Sequence, residues 1–203
     1  MQRINDYPTQ IVGPFKSAEK ANDESVMHKS LLDMGESFLT YLVAIMFGEY
    51  KRSGEINEDL ETEFYKFSSS KPSFGVFLAF LRDHLSKDLS NTILSDKFEK
   101  SKTYEAASEF IFEFDLLKQI INDGSDDGFS DKVDSLRKGR SLGKKGLIEF
   151  FNTFIMIRNI FAHPDEKAGP KDNKRKWPLG KEYYAFINPH MLAALTELVE
   201  DFD

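Results

Sequence analysis

Apolar residues recur three and four positions apart along most of this chain of 203 residues, and that period is typical of amphipathic helices. The clearest case is the segment 146–164, with the sequence GLIEFFNTFIMIRNIFAHP. Its apolar positions at this spacing are Leu147, Ile148, Phe151, Phe154, Ile155, Ile157 and Ile160. Because Pro164 disfavours helical geometry at the residue before it, the pattern predicts a buried helix that ends at or near His163.

Capping residues and proline or glycine breaks delimit the other helices. Asp23 or Ser25 caps a long helix, whose wide apolar stripe indicates a central and well-buried position, and Gly54 ends it. Asn57 and Pro72 open the next two helices. Apart from the segment that ends near His163, the predicted helices cover residues 25–52, 58–67, 72–87, 103–121 and 131–137.

Both ends of the chain carry helix breakers. Residues 1–22 contain two prolines and a glycine and are predicted to form an irregular N-terminal arm. Near the other end, residues 183–187 (YYAFI) favour a short strand or an extended connector. Asn188 and Pro189 are then expected to cap a last helix that runs to about Val199.

These elements predict an all-α fold. Residues 23–203 are expected to form a single domain, a bundle of about six helices with little or no sheet. The length is sufficient for one domain with a sizeable core, and nineteen phenylalanines indicate that this core is largely aromatic. The chain closes in a charged helix without a clear stop signal, which is consistent with the N-terminal part of a longer protein.

The composition indicates in which cellular compartment the protein is expected. There is no cysteine, which excludes disulfides and thiolate metal sites and suits the cytosol. The N-terminus has no basic flank followed by an apolar run, so no signal peptide is predicted. No apolar run reaches the roughly 18 residues that span a bilayer, and the longest candidate, 38–48, follows Asp33 and Glu36. We therefore expect a cytoplasmic protein without a membrane partner.

Charge is distributed unevenly. The net charge of -7 argues against broad, non-specific binding to nucleic acid. Two basic runs nevertheless flank the central helix, 137–145 (RKGRSLGKK) and 167–181, which contains KDNKRKW. If both fold near the His163 end of the helix they form a phosphate-attracting rim; otherwise they are two solvated loops. The candidate RNA-binding residues are Lys144, Lys145, Lys174, Arg175 and Lys176, and nearby Trp177, Tyr183 and Tyr184 either stack on bases or pack the loop.

Arg158, Asn159 and His163 give the end of the central helix its candidate chemistry. Histidine titrates near neutrality and serves as acid or base, and the arginine fork binds phosphate oxygens. In the alternative structural interpretation, His163 caps the helix and Arg158 bonds backbone carbonyls or a core carboxylate such as Glu36 or Asp115, because burying an unpaired guanidinium is costly. Glu36 itself lies in an apolar helix and needs a partner, which makes it a candidate for pairing with Arg158.

No metal or nucleotide cofactor is predicted. His28, His84 and His190 have no partners at metal-ligand spacing and are expected at surface or helix-cap positions. The glycine-rich segment GRSLGKKG lacks the order of residues that defines a P-loop.

The sequence from Arg158-Asn159 to His163, at the end of an apolar helix in an all-α chain, resembles the signature of the HEPN superfamily. The resemblance implies an all-α bundle and metal-independent ribonuclease activity, with two protomers whose motifs face a shared cleft. It also implies roles: His163 as acid or base, Arg158 as the cation that stabilises the transition state, and Asn159 as the residue that orients His163 or holds the phosphate. Some family members carry a tyrosine two residues after the histidine; Asp165 stands there instead, which disfavours regulation by tyrosine modification.

The leading hypothesis is thus a homodimeric endoribonuclease that acts on RNA, in a toxin or antiviral defence setting, with an antitoxin or a C-terminal partner domain. The alternative is a catalytically silent HEPN-like domain that binds RNA, nucleotide or a protein partner, or mediates dimerisation. Geometry imposes one condition on catalysis. Five residues along an ideal helix place Arg158 and His163 about 140° apart, so they converge only if the helix end unwinds near Pro164 or the partner protomer contributes.

Overall fold

The computed structural model describes residues 6–54, 56–68, 73–85, 102–123, 129–138, 147–162 and 181–201. Within these residues lie eight helices and no strand, and 92% of the residues are helical, which confirms the predicted all-α fold. In chain order the helices are α1 (Thr9–Lys20), α2 (Glu24–Ser53), α3 (Glu58–Ser68), α4 (Phe74–Phe80), α5 (Lys102–Asp123), α6 (Phe129–Arg137), α7 (Leu147–Ala162) and α8 (Lys181–Asp201).

Helix α2 runs through the middle of the bundle, between α1, α4, α7 and α8. The Asp23 carboxylate accepts hydrogen bonds from the backbone N–H groups of Ser25 and Val26 at 2.8 and 3.3 Å, which is the geometry of an N-cap. Gly54 ends the helix in the left-handed region, with φ of 76°. Both predicted limits of this helix are confirmed. Among the described residues, α2 alone has the length and apolar composition of a membrane-spanning helix, and buried core helices pass the same test.

The irregular arm predicted for residues 1–22 is wrong over Thr9–Lys20, which form α1. The helix includes Pro14, because its apolar residues lie at helical spacing and are buried in the core: Ile11, Val12, Phe15 and Ala18. Ahead of the helix, the Tyr7 hydroxyl donates to the Val199 carbonyl oxygen at 2.7 Å. The N-terminal segment is therefore tied to the last turns of α8.

The strand or connector predicted for residues 183–187 is also wrong, since this segment belongs to α8. Its apolar residues continue the buried stripe of the helix through Pro189: Tyr183, Ile187, Met191, Ala194, Leu195 and Leu198. Asn188 lies inside α8 instead of capping it. Its side-chain amide donates to the backbone oxygen and to Oε2 of Glu24, at 2.9 and 2.7 Å, and so links α8 to the first turn of α2.

The positions of the shorter helices agree more closely with those predicted from the sequence. Asn57 Oδ1 accepts from the Leu60 backbone N–H at 3.0 Å and caps α3 as predicted. The helix predicted over residues 72–87 is observed from Phe74 as α4, with Ser73 at its N-cap, and continues into a π-helical turn over Leu81–Leu85. Pro72, which was expected to open it, lies outside the described residues. Helices α5 and α6 match their predicted positions within two residues at each end.

An aromatic core surrounds α7. Phe150 and Phe154 contact Phe110 of α5 with ring centroids 5.7 and 5.1 Å apart, and Phe151 contacts Phe74 of α4 at 6.4 Å. All five rings are buried, which confirms the aromatic core expected from the composition. These contacts fix α7 against α4 and α5, and α2 covers another side of it.

Candidate functional site

The candidate site lies toward the C-terminal end of α7, which is described over Leu147–Ala162. The central buried helix predicted for this segment is confirmed there, because Phe150, Phe151, Phe154 and Ile157 are fully buried. Arg158 follows this buried stripe directly.

A close approach between α2 and α7 brings Arg158 to its partner. A Cβ atom on Gly35 would lie 2.8 Å from both Cδ1 and Cε1 of Phe154, so only glycine fits at this crossing without displacement. Glu36 is the next residue of α2, and Arg158 lies one helical turn beyond Phe154. Arg158 Nε is 3.5 Å from Glu36 Oε2, so the pairing expected between these residues is observed. Asp115, the other carboxylate that the sequence offers as a partner, instead pairs with Lys118 at 2.7 Å.

The Arg158–Glu36 pair lies at the surface of the bundle. The Arg158 and Glu36 side chains are 40% and 35% exposed, and the shortest N–O distance between them, from Nε, is 3.5 Å. A fork-to-fork arginine–carboxylate pair would instead make two parallel short contacts. A partly exposed pair of this kind contributes little to stability. Arg158 is therefore neither buried in the core nor saturated by Glu36.

Asn159 lies on another side of α7 from Arg158. Successive residues of a helix are about 100° apart, and Asn159 is closer in direction to Met156, which is 44% exposed, than to Arg158. Arg158 thus points toward α2, and Asn159 belongs to the outward side of α7. The structure does not bring these two proposed catalytic residues onto one face.

The remaining predicted site residues lie outside the described residues: His163, Lys144, Lys145, Lys174, Arg175 and Lys176. Helix α7 has 16 residues and is about 24 Å long. The two basic runs therefore join it at opposite ends, one before Leu147 and the other after Ala162. The phosphate-attracting rim that the sequence suggested requires the first run to reach back along much of α7.

Arg137, the first residue of the run 137–145, pairs with a buried carboxylate of the bundle. Its Nε and Nη2 donate to the two Glu113 oxygens at 3.1 and 2.8 Å, and these hydrogen bonds raise the pKa of Arg137. Glu113 is buried, and the guanidinium carbon lies 5.7 Å from the centre of the Phe186 ring. This cation therefore anchors α6 to α5 and α8. No sequence pattern connects Arg137 with Glu113, so the pair was not anticipated.

His28 is buried, whereas a surface or cap position was expected. Because the Asn188 amide nitrogen donates to Glu24, its Oδ1 faces His28 and accepts from Nδ1–H at 2.7 Å. Burial lowers the pKa of His28 to about 4, and the hydrogen bond with Asn188 opposes part of that shift. The neutral imidazole is thus a structural link between α2 and α8. His190 Nδ1 lies 3.5 Å from Glu109 Oε1 on a more open surface.

No protein-family model, curated protein or solved structure matches this chain. Among the described residues, Arg158 with Glu36 is the feature that the sequence predicted and that the fold places at the surface.

Proposed function

We propose that this protein is a HEPN-like, metal-independent endoribonuclease. The observation that carries the proposal is the position of Arg158. It follows the buried stripe of a core helix, it is 40% exposed, and its nearest distance to the Glu36 carboxylate is 3.5 Å. A guanidinium held in this way retains donors for a phosphate oxygen.

The reaction requires three groups around one phosphodiester. A base removes the proton of the ribose 2′-hydroxyl, whose oxygen attacks phosphorus. A cation stabilises the negative charge that accumulates on the phosphoryl oxygens, and an acid protonates the leaving 5′-oxygen. Arg158 supplies the cation and His163 the base or acid. Since each protomer has one His163, acid–base catalysis by two histidines requires a homodimer with a composite site.

Glu36 and Asn159 complete the proposed site from different directions. Glu36, next to the close contact between Gly35 and Phe154, limits where the Arg158 guanidinium can move. Asn159, on the outward side of α7, is available to the partner protomer or to the substrate. In this arrangement the active site is assembled at the surface of α7, and not inside one bundle.

Cleavage of single-stranded RNA in the presence of a chelator tests the proposal. Arg158→Ala and His163→Ala should each reduce cleavage by about 10²- to 10⁴-fold, while circular dichroism shows an unchanged helix content. Arg52→Ala, at the far end of α2, and His190→Ala, on α8, are matched controls that should retain activity. A protein that cleaves equally well after the first two substitutions would contradict the assigned site.

The alternative function has its own outcome in the same experiment. If the unmutated protein binds RNA without cleaving it, and Arg158→Ala weakens that binding, the chain is a catalytically silent binding domain. If His163→Ala lowers only the stability, the motif is structural. The toxin or defence setting is tested by expression in cells, where growth inhibition that His163→Ala abolishes supports it.

A further inference from the structure

The immediate surroundings of Arg158 are unusual for an anion site, because a carboxylate already stands beside the cation. Arg158 Nε and Glu36 Oε2 are 3.5 Å apart. Asp33 lies one turn earlier on α2, and its side chain is exposed. A phosphate that approaches the guanidinium therefore meets one positive charge and at least one negative charge at close range.

The backbone holds this arrangement in place. The contact of Gly35 with the Phe154 ring leaves no room for a Cβ atom, so α2 and α7 pack closely here. Glu36 and Arg158 are next to that contact, within one turn on each helix. Because packed interiors do not deform freely, the backbones that carry Glu36 and Arg158 keep their separation, and the carboxylate stays within reach of the guanidinium when a ligand binds.

We propose that Glu36 makes the Arg158 site selective for the singly charged phosphodiesters inside a polynucleotide, against doubly charged terminal phosphates. This inference rests on the proposed function, since it assumes that Arg158 binds phosphate. A lone arginine attracts a dianion more strongly than a monoanion, because the Coulomb energy scales with the ligand charge. A neighbouring carboxylate repels the dianion in the same proportion and cancels that advantage.

Desolvation then decides between the two ligands. A doubly charged phosphate loses more hydration energy than a diester when it enters the site. Because the charges of Arg158 and Glu36 nearly cancel, the site offers the dianion no extra Coulomb attraction to offset its larger desolvation cost. The nearest Glu36 oxygen is 3.5 Å from Nε, and one carboxylate at this distance does not engage all five guanidinium N–H donors, so donors remain for the diester oxygens. The pair therefore favours internal positions of a strand over free nucleotides and 5′-phosphorylated ends.

The test compares two small ligands by NMR titration at pH 7.5. One is a 2′-O-methylated dinucleoside monophosphate, which has a single diester charge and cannot be cleaved. The other is a nucleoside 5′-monophosphate, which is largely a dianion because its second pKa is about 6. The Arg158 Nε–H resonance, assigned by its loss in Arg158→Lys, reports binding. The proteins are the unmutated chain, Glu36→Gln, and Glu49→Gln as the matched control, which removes the same charge about 20 Å farther along α2.

The unmutated protein should bind the diester more tightly than the monophosphate. Glu36→Gln should tighten the monophosphate by about three- to tenfold and the diester by clearly less, while Glu49→Gln changes neither. Equal tightening of both ligands by Glu36→Gln would overturn the inference. Weakening of both would also overturn it and would make Glu36 a positioning residue for Arg158.

The same measurements separate this inference from the proposed function. If RNA is cleaved through Arg158 but Glu36→Gln leaves the ligand preference unchanged, only the selectivity role of Glu36 fails. If the preference shifts as expected but RNA is not cleaved, the site is a selective binding site without catalysis. If neither ligand perturbs Arg158 in any of the proteins, both the selectivity and the phosphate contact are refuted.

Discussion

Gly35 and Phe154 are in such close contact that a Cβ atom on residue 35 would lie 2.8 Å from two carbons of the ring. The contact marks a close approach between the two helices that contribute Glu36 and Arg158. A glycine inside an apolar helix usually costs stability. Here it allows two long helices to approach, and the candidate site is built beside the point of approach.

Gly35→Ala should therefore destabilise the protein by about 1–3 kcal/mol, because the Phe154 ring or the helix must shift to accept the methyl group. Gly48→Ala, on the same helix, is the matched control: nothing lies within 4 Å of its Cβ position. It should stabilise the protein by up to about 1 kcal/mol through helix propensity. Urea denaturation of both variants measures the difference, and a neutral Gly35→Ala would mean that α2 and α7 are not closely packed.

The pH dependence of stability should report the buried imidazole of His28. Its pKa is about 4 in the folded protein and about 6.5 in an unfolded chain. Between these values the unfolded state binds more protons, so stability falls as the pH is lowered from 6.5 toward 4, by a total on the order of 3 kcal/mol. Above pH 6.5 this residue adds no pH dependence.

His28→Gln and His28→Phe separate this effect from packing. Both variants lack the titrating group, so both should lose this part of the slope between pH 4 and 6.5, measured by denaturation at several pH values. Only glutamine retains a polar group for Asn188 Oδ1, so the phenylalanine variant should be the less stable at neutral pH. A slope that survives in both variants would assign the acid sensitivity to other groups.

The buried Glu113 carboxylate should contribute more to the stability of the fold than its neighbour Glu109. Glu113 receives both hydrogen bonds from Arg137, and replacing it with glutamine removes a charge-assisted pair, at a cost of about 1.5–3 kcal/mol. Glu109, one turn earlier, is 57% exposed, and Glu109→Gln should change stability by less than about 0.5 kcal/mol. Equal effects in thermal denaturation would mean that Arg137 does not anchor α6.

The sequence predicts best what local contacts decide. The Asp23 side chain caps the start of α2 and the left-handed Gly54 ends it, and each acts within a few residues. Both ends of α2 can therefore be predicted from the sequence. Pro14 and Pro189 suggested breaks, but burial of the apolar stripes of α1 and α8 overrides the local cost of each proline. Tertiary packing is not visible in the local pattern, and for that reason the sequence does not predict α1 or the first turns of α8, although it does predict the rest of α8.

The same distinction holds for the candidate site. The partner of Arg158 can be predicted from the sequence, because a carboxylate in an apolar helix and an arginine at the end of another helix each need an opposite charge or a hydrogen-bond partner. The Arg137–Glu113 pair cannot be predicted in this way, since both residues have the sequence context of ordinary surface charges. Its consequence is that Arg137 does not belong with the cations proposed to contact RNA.

The two basic runs beside α7 should act on RNA independently, because they join the helix at opposite ends. For single strands, each lost phosphate contact lowers the slope of log affinity against log salt by about 0.7. Lys144→Gln with Lys145→Gln should therefore reduce the slope, and so should Lys174→Gln with Lys176→Gln. The matched control is Lys51→Gln with Lys66→Gln, since these lysines already pair with Glu61 and Glu63 at 2.5 and 2.6 Å. If only the run after α7 changes the slope, RNA is confined to the Arg158 end of the helix, and if neither does, the runs are solvated loops.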